Sequence, residues 1–149
     1  MIQAPSIRDT TGFALAKVCK AHRGNVARCL AEIGLHVGQE MVLAELWETD
    51  GLRGGELAAR LNVEPPTVTK MLRRLEKCGL VERRQNPEDA RSSVVYLTDK
   101  GRALQEPVAR LWQEAEERTL ASLNTADRET LHHLLAKMRG NLDPGVTTG

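Results

Sequence analysis

Residues 55–101 read GELAARLNVEPPTVTKMLRRLEKCGLVERRQNPEDARSSVVYLTDKG, and this stretch decides the fold. Glu56 to Leu61 predicts a short helix with Leu57, Ala58 and Leu61 on its inner side. Asn62-Val63-Glu64 breaks it. A second helix starts at Pro65-Pro66, where the missing N–H groups cost nothing because first-turn donors have no intrahelical partner. It runs to about Cys78 and stops at Gly79. Two short helices joined by a three-residue turn make a helix-turn-helix.

On the second helix, Val68, Met71, Leu72 and Leu75 follow the i, i+3, i+4, i+7 spacing of a buried stripe. Directly opposite lie Pro66, Lys70, Arg73 and Lys77. Thr67 and Thr69 flank that face near its N-terminal end, and Arg74 stands at its other margin. Beyond Gly79, Leu80–Arg84 and Ser93–Thr98 are rich in β-branched residues and predict two strands. The polar Gln85–Ser92 segment, with Pro87, reads as a long charged tip joining them into a hairpin.

Working outward, Thr10 to about Ile33 reads as a long helix with Leu15, Val18, Cys19, Val26 and Leu30 as its apolar stripe. Gly34 and Gly38 bracket a break. Gln39–Glu48 reads as a helix with Val42, Leu43, Leu46 and Trp47 inward, followed by a turn at Thr49-Asp50-Gly51. On the other side, one helix is expected from Lys100 to about Leu123, carrying Leu104, Val108, Leu111, Trp112, Ala115 and Leu120. Pro107 should bend it or mark a first-turn boundary. Asn124-Thr125 caps a last helix striped by Leu131, Leu134, Leu135 and Met138.

The expected fold is mainly α with a small antiparallel β wing: a winged helix-turn-helix over 38–101, flanked by helical regions over 10–36 and 103–142. Residues 1–9 and 143–149 read as loose tails.

Composition narrows the function. Apolar residues make up 41% of 149 and charged residues 28%, an ordinary globular mix. The longest stretch without Asp, Glu, Lys or Arg is Thr119–Ala126, too short for a membrane helix. Aromatics are 3%, which disfavours recognition of single strands by base stacking. Cys19, Cys29 and Cys78 form no CxxC pair, so neither a disulfide scaffold nor a structural metal site is expected, and a reducing cytoplasm is the expected compartment. The net charge is +1, but the Lys and Arg excess is concentrated between Leu52 and Arg102, which suits one surface facing a polyanion. No G-x-S-x-G elbow, Walker loop or HExxH occurs. His22, His36, His132 and His133 have no metal-site spacing, so neither an enzyme nor a bound cofactor is expected.

Gly55–Gly101 resembles the winged helix-turn-helix of the multiple-antibiotic-resistance regulator (MarR) family. The likeness rests on Gly79-Leu80-Val81 with Arg83, on Asp89-x-Arg91, and on Val95-x-Leu97-Thr98-x-x-Gly101. The flanking helices match in order and length. The resemblance implies a transcriptional regulator, homodimeric through a helical dimerisation region from 10–36 and 103–142, that binds double-stranded, near-palindromic operator DNA and is in most cases a repressor. It further implies release by a small-molecule, often phenolic, effector or by cysteine oxidation.

The major groove admits an α-helix, and a recognition helix reads bases with its N-terminal part. Pro66, Thr67, Thr69 and Lys70 are therefore candidates for base or nearby phosphate contact, and Arg73, Arg74 and Lys77 for phosphates. On the wing the candidates are Arg84, Asp89, Arg91 and Ser92. Arg91 would enter the minor groove, with the Asp89 carboxylate pinning its guanidinium. An effector pocket would draw on Cys19, His22, His36 and Trp47, although both tryptophans also fit core or dimer packing. Two alternatives remain. One is a redox-sensing repressor using Cys19, with Cys29 and Cys78 as weaker candidates. The other is a winged-helix protein-interaction module, which the cations Lys70, Arg73 and Lys77 argue against.

Overall fold

The computed structural model of the chain describes residues 4–143. Their elements run α1 (Thr11–Ala31), α2 (Gln39–Glu48), β1 (Leu52–Arg53), α3 (Gly54–Leu61), α4 (Pro65–Lys77), β2 (Val81–Asn86), β3 (Asp89–Leu97), α5 (Asp99–Ala103), α6 (Gln105–Thr119) and α7 (Thr125–Leu142), with a 3-10 turn at Ile7–Asp9 ahead of α1. This is a mainly helical winged helix-turn-helix fold with a small antiparallel sheet. Part of the N-terminal tail read from the sequence thus forms a helical turn, with the Ser6 hydroxyl accepting from the Arg8 N–H. Residues 1–3 and 144–149 lie outside the described residues.

The chain divides into two compact units, Met1–Ala115 and Glu116–Gly149, with the boundary inside α6. In the first unit one core gathers Val26 and Leu30 of α1, Val42, Leu43 and Leu46 of α2, Leu57 of α3, and Val68, Leu72 and Leu75 of α4. Val81, Val95 and Leu97 of the sheet and Val108 and Ala115 of α6 join it, with Leu35, Leu52, Ala58 and Leu80. The stripe predicted for α4 is therefore the buried one, except that Met71 is only half-buried. The stripe predicted for α1 needs correction. Val26 and Leu30 are buried, but Leu15 is half-buried, Cys19 is exposed and Val18 is 57% exposed. Helical periodicity shows that a face is apolar, not how far along its length this chain covers it.

The turn between α3 and α4 closes because Asn62 takes the left-handed conformation at φ 53°, which asparagine tolerates better than most side chains. Its N–H bonds to Ala59 O and that of Val63 to Ala58 O. At the far end of α4, Gly79 takes φ +71°. Its N–H donates to Glu76 O, and the Leu80 N–H reaches back to Leu75 O, the double bond of a Schellman stop.

The sheet order is β1-β3-β2, all antiparallel. β1 was not expected: its two residues pair Leu52 with Val95 and Arg53 with Val94. The wing also corrects the eight-residue tip. β2 runs on to Asn86 and β3 begins at Asp89, which leaves Pro87-Glu88 as the turn. The polar side chains supply the closure. Asn86 Oδ1 accepts from the Glu88 N–H at 3.0 Å, and Asn86 Nδ2 donates to Ser92 Oγ at 3.2 Å. Pro87 needs no partner because it has no N–H.

The single helix expected from Lys100 to Leu123 is likewise corrected. α5 ends at Ala103, Leu104 makes a turn, and α6 starts at Gln105 with Pro107 in its first turn. In the second unit α6 ends at Thr119 rather than near Leu123. Arg128 of α7 explains the early end, donating to Leu123 O at 3.1 Å and Leu120 O at 3.0 Å, so carbonyls past the helix are satisfied without another turn. The Asn124 side chain caps α7, with Asp127 bonding back to the Asn124 N–H.

Candidate nucleic-acid interface

α4 presents one face to the core and the other to solvent. Pro66, Thr67, Thr69, Lys70, Arg73, Arg74 and Lys77 are all exposed, behind the buried Val68, Leu72 and Leu75. The seven residues selected from the sequence therefore share one open surface, four of them cations. A cationic face of this length matches the charge of a duplex backbone.

The wing is fastened to the C-terminal end of α4. Thr98 Oγ1 donates to Gly79 O at 2.6 Å and accepts from the Gly101 N–H at 3.1 Å. Lys100 Nζ donates to Cys78 O at 3.0 Å. Arg83 Nε stands 3.1 Å from a Glu76 carboxylate oxygen. Gly101 permits this closeness: a Cβ there would stand 2.1 Å from Leu80 O. Across the base, Asp50 Oδ1 accepts from the Gly51 N–H at 3.1 Å and the Leu97 N–H at 2.9 Å. Its Oδ2 accepts from Arg102 at 2.9 Å. Sequence reasoning missed Asp50 as an organiser; the Asp-Gly turn was visible, but not a partner 47 residues away.

The wing residues are placed as follows. Gln85 pairs with Ser93, whereas the next residue, Asn86, pairs with Asp89. Residues 90–92 therefore bulge out of the ladder, and bulges re-aim side chains. Arg91 lies in that bulge and is exposed. The expected ion pair from Asp89 to the Arg91 guanidinium is not formed. Instead Asp89 Oδ1 accepts from the Arg91 backbone N–H at 3.0 Å, because the two-residue offset brings a carboxylate to the main chain more readily than to a long side chain. The Arg91 guanidinium makes no ion pair among the described residues. Ser92 Oγ donates to Asp89 O at 3.3 Å.

Arg84 is differently occupied. Its guanidinium bonds to Glu82 and lies over the Tyr96 ring, 4.3 Å from the centroid. The Glu82 hydrogen bond and charge raise its pKa. Arg53, not selected from the sequence, is an exposed cation paired with Glu56 at 2.9 Å. That hydrogen bond is the chief cause of its raised pKa, and the wing-tip acids Glu88 and Asp89 add to it.

The four effector candidates differ in their surroundings. Cys19 and His36 are exposed, and His22 is half-buried. The His22 ring meets Trp112 edge-on, with centroids 5.7 Å apart. The Trp47 indole donates to Gly101 O at 3.0 Å and packs on the core, so Trp47 serves the wing base. A shallow depression elsewhere, on α7, is lined by His132, Leu135, Ala136, Arg139 and Gly140. Glu40 is 3% exposed at the start of α2. Burial raises its pKa, against the hydrogen bonds from its own N–H and that of Gly38 and the charge of Arg23. Among the described residues, no group of three or more His, Cys, Asp or Glu is placed to hold a metal ion, and no helix is long and apolar enough to cross a membrane.

The family model described as MarR matches residues 35–93, the span holding α2, the helix-turn-helix and most of the wing. An HTH-type transcriptional repressor of Mycobacterium tuberculosis is 31% identical over 127 residues, covering 85% of this chain and 91% of the relative. The chain belongs to the MarR family. It is a winged helix-turn-helix transcriptional regulator, not an enzyme. Wild-type MarR from E. coli in its apo form superposes with TM-score 0.75 at 28% identity, over 87% of this chain and 96% of that one. A cysteine-to-serine mutant of MarR complexed with operator DNA superposes with TM-score 0.83 at 27% identity, over 90% and 99% of the two chains. MarR-family regulators thus bind operator DNA.

Proposed function

We propose that this MarR-family regulator is a homodimeric repressor of an operator with two half-sites, released by a small-molecule effector. The observation that carries the DNA-binding part is the exposed cationic face of α4 backed by its buried stripe, with an exposed Arg91 on the bulged wing. Pro66, Thr67, Thr69 and Lys70 lie on the first turns of α4, where a recognition helix meets base edges. Arg73, Arg74 and Lys77 follow along the helix and serve phosphates. Arg91 enters the minor groove, where narrow A·T tracts concentrate negative potential. Asp89 and Ser92 act by shaping the bulge that carries it. Arg84, neutralised by Glu82 and stacked on Tyr96, supports the wing and at most touches a phosphate.

Dimerisation is supported by the second unit. α7 has 18 residues and none is buried, while Leu134 and Leu135 are 48% and 43% exposed. An apolar stripe on a long helix calls for a covering surface, and a second copy supplies one. The recognition helices of the dimer would then stand about one DNA turn, roughly 34 Å, apart. For the effector, the helices around His22 and Trp112 are better candidates than Trp47, whose N–H is already bonded.

Fluorescence anisotropy on the regulator's own promoter tests the reading. Binding one dimer per site, with Lys70→Ala changing base preference and Lys77→Ala weakening all sequences and lowering the salt slope by about 1, is the expected result. No binding to any promoter duplex, with capture of a partner protein through α4, would favour the protein-interaction alternative.

A further inference from the structure

The first turn of α4 offers no free backbone donor. Pro65 and Pro66 have no N–H. The Thr67 N–H is spent on Glu64 O at 3.0 Å, and the Val68 N–H on the same carbonyl at 3.3 Å. A helix start ordinarily leaves such groups open to a phosphate or a base acceptor. This one instead presents the Pro66 ring and the Thr67 and Thr69 side chains, all exposed. Thr69 is constrained further. Its Oγ1 donates to Pro65 O, one turn back, at 3.1 Å. A hydroxyl has one proton. With that proton held by Pro65, Oγ1 can only accept from a partner in the groove.

We infer that Thr69 is a specificity-determining residue that reads an exocyclic base amine in the major groove. Those amines are adenine N6 and cytosine N4, whereas guanine O6 and N7 and thymine O4 are acceptors and have nothing to take from this hydroxyl. Lys70, the next residue, is a donor only. Adjacent positions therefore make opposite demands, an amine for Thr69 and an acceptor for Lys70. Every base pair carries both kinds of group, so inverting the pair under Thr69 is penalised although composition is unchanged. The inference rests on the DNA-reading role proposed for α4.

The test uses the full-length regulator and a duplex selected by it from a randomised library. At each half-site position, adenine is replaced by purine, which lacks N6, or cytosine by 2-pyrimidinone, which lacks N4. Affinities are read by anisotropy for wild type, Thr69→Val and Thr69→Ser. Valine keeps the shape and a methyl but cannot accept; serine keeps the acceptor and the bond to Pro65. The expected result is one position where removing the amine weakens wild type and Thr69→Ser about three- to ten-fold, the worth of one neutral hydrogen bond, and leaves Thr69→Val unchanged. Which analogue does so tells adenine from cytosine. The inference is overturned if Thr69→Val responds to every analogue as wild type does, or if the position that depends on Thr69 presents a carbonyl. In that case a persisting change of preference in Lys70→Ala shows that α4 still reads bases. If wild type selects no sequence at all, the reading role of α4 falls and this inference with it.

Discussion

Replacing Gly101 with alanine should weaken the joint between wing and helices. A Cβ at this position would lie 2.1 Å from Leu80 O, 3.1 Å from Leu80 C and 3.2 Å from Leu97 Cδ2. A comfortable carbon–oxygen contact is about 3.3 Å, so the two backbones must part by about 1 Å. Leu80 O is also held by the Thr98 N–H at 3.1 Å, and Gly101 O by the Trp47 indole at 3.0 Å, so neither side moves alone. Overpacking of this kind costs about 1–3 kcal/mol. Loss of the indole bond adds about 1 kcal/mol, and the better helix propensity of alanine offsets about 1 kcal/mol. A net loss of about 1–3 kcal/mol lowers the melting temperature by about 3–9 °C for a chain of this size. The control is Gly24→Ala in α1, where nothing lies within 4 Å of an added Cβ and propensity alone should stabilise. Thermal melts followed by circular dichroism at one protein concentration compare the three proteins. If Gly101→Ala melts at or above wild type, the close approach of α5 to the start of β2 is not what holds the wing.

Three further outcomes are expected. On the wing, Arg91→Ala should lose operator affinity without loss of fold, since the residue is exposed. Asp89→Ala should also weaken binding, but Asp89→Asn should not, because an amide oxygen still accepts the Arg91 N–H; anisotropy on one operator checks all three. For Glu40, burial holds the proton to higher pH in the folded chain than in the unfolded one. Between the ordinary carboxylate pKa and the raised folded value the native state therefore binds more protons, and stability falls as pH rises through that window. Glu40→Gln should remove this fall and be the more stable protein above the window, as measured by urea unfolding at several pH values. On α7, Leu135→Glu should shift the mass seen by light scattering from dimer towards monomer, with loss of operator binding; an unchanged mass would place the dimer interface elsewhere.

What could be read in advance follows from the range of the interactions. The turn at Asn62, the stop at Gly79 and the Asn124 cap were legible because each is closed by atoms a few residues apart. The face of α4 was legible because its period is regular and its two sides differ sharply in polarity. β1 was not, since a strand of two residues has no alternation to read and exists through Val94 and Val95. The wing tip looked like a loop because Asn86, Asp89 and Ser92 are polar, yet those side chains are what bonds it. The exposed half of the α1 stripe and the engagement of Arg84 by Glu82 and Tyr96 depend on which neighbours arrive in space. The bond from the Trp47 indole to Gly101 O was illegible for the same reason, since it joins residues 54 apart in the chain.

The carboxylate of Asp50 touches the turn after α2, the last residue of β3 and the arginine of α5. A single side chain thus ties the turn after α2, the end of the wing and α5 together at one corner. In the proposed effector-released dimer, a displacement of α5 would act through this corner on the wing and turn the reading head as a unit. In a two-headed assembly such a turn alters the distance between heads and leaves each head's alphabet intact. Effector sensitivity should then be written in the spacing of the half-sites, so that operators lengthened or shortened by one base pair differ in their response while those with altered letters differ only in affinity.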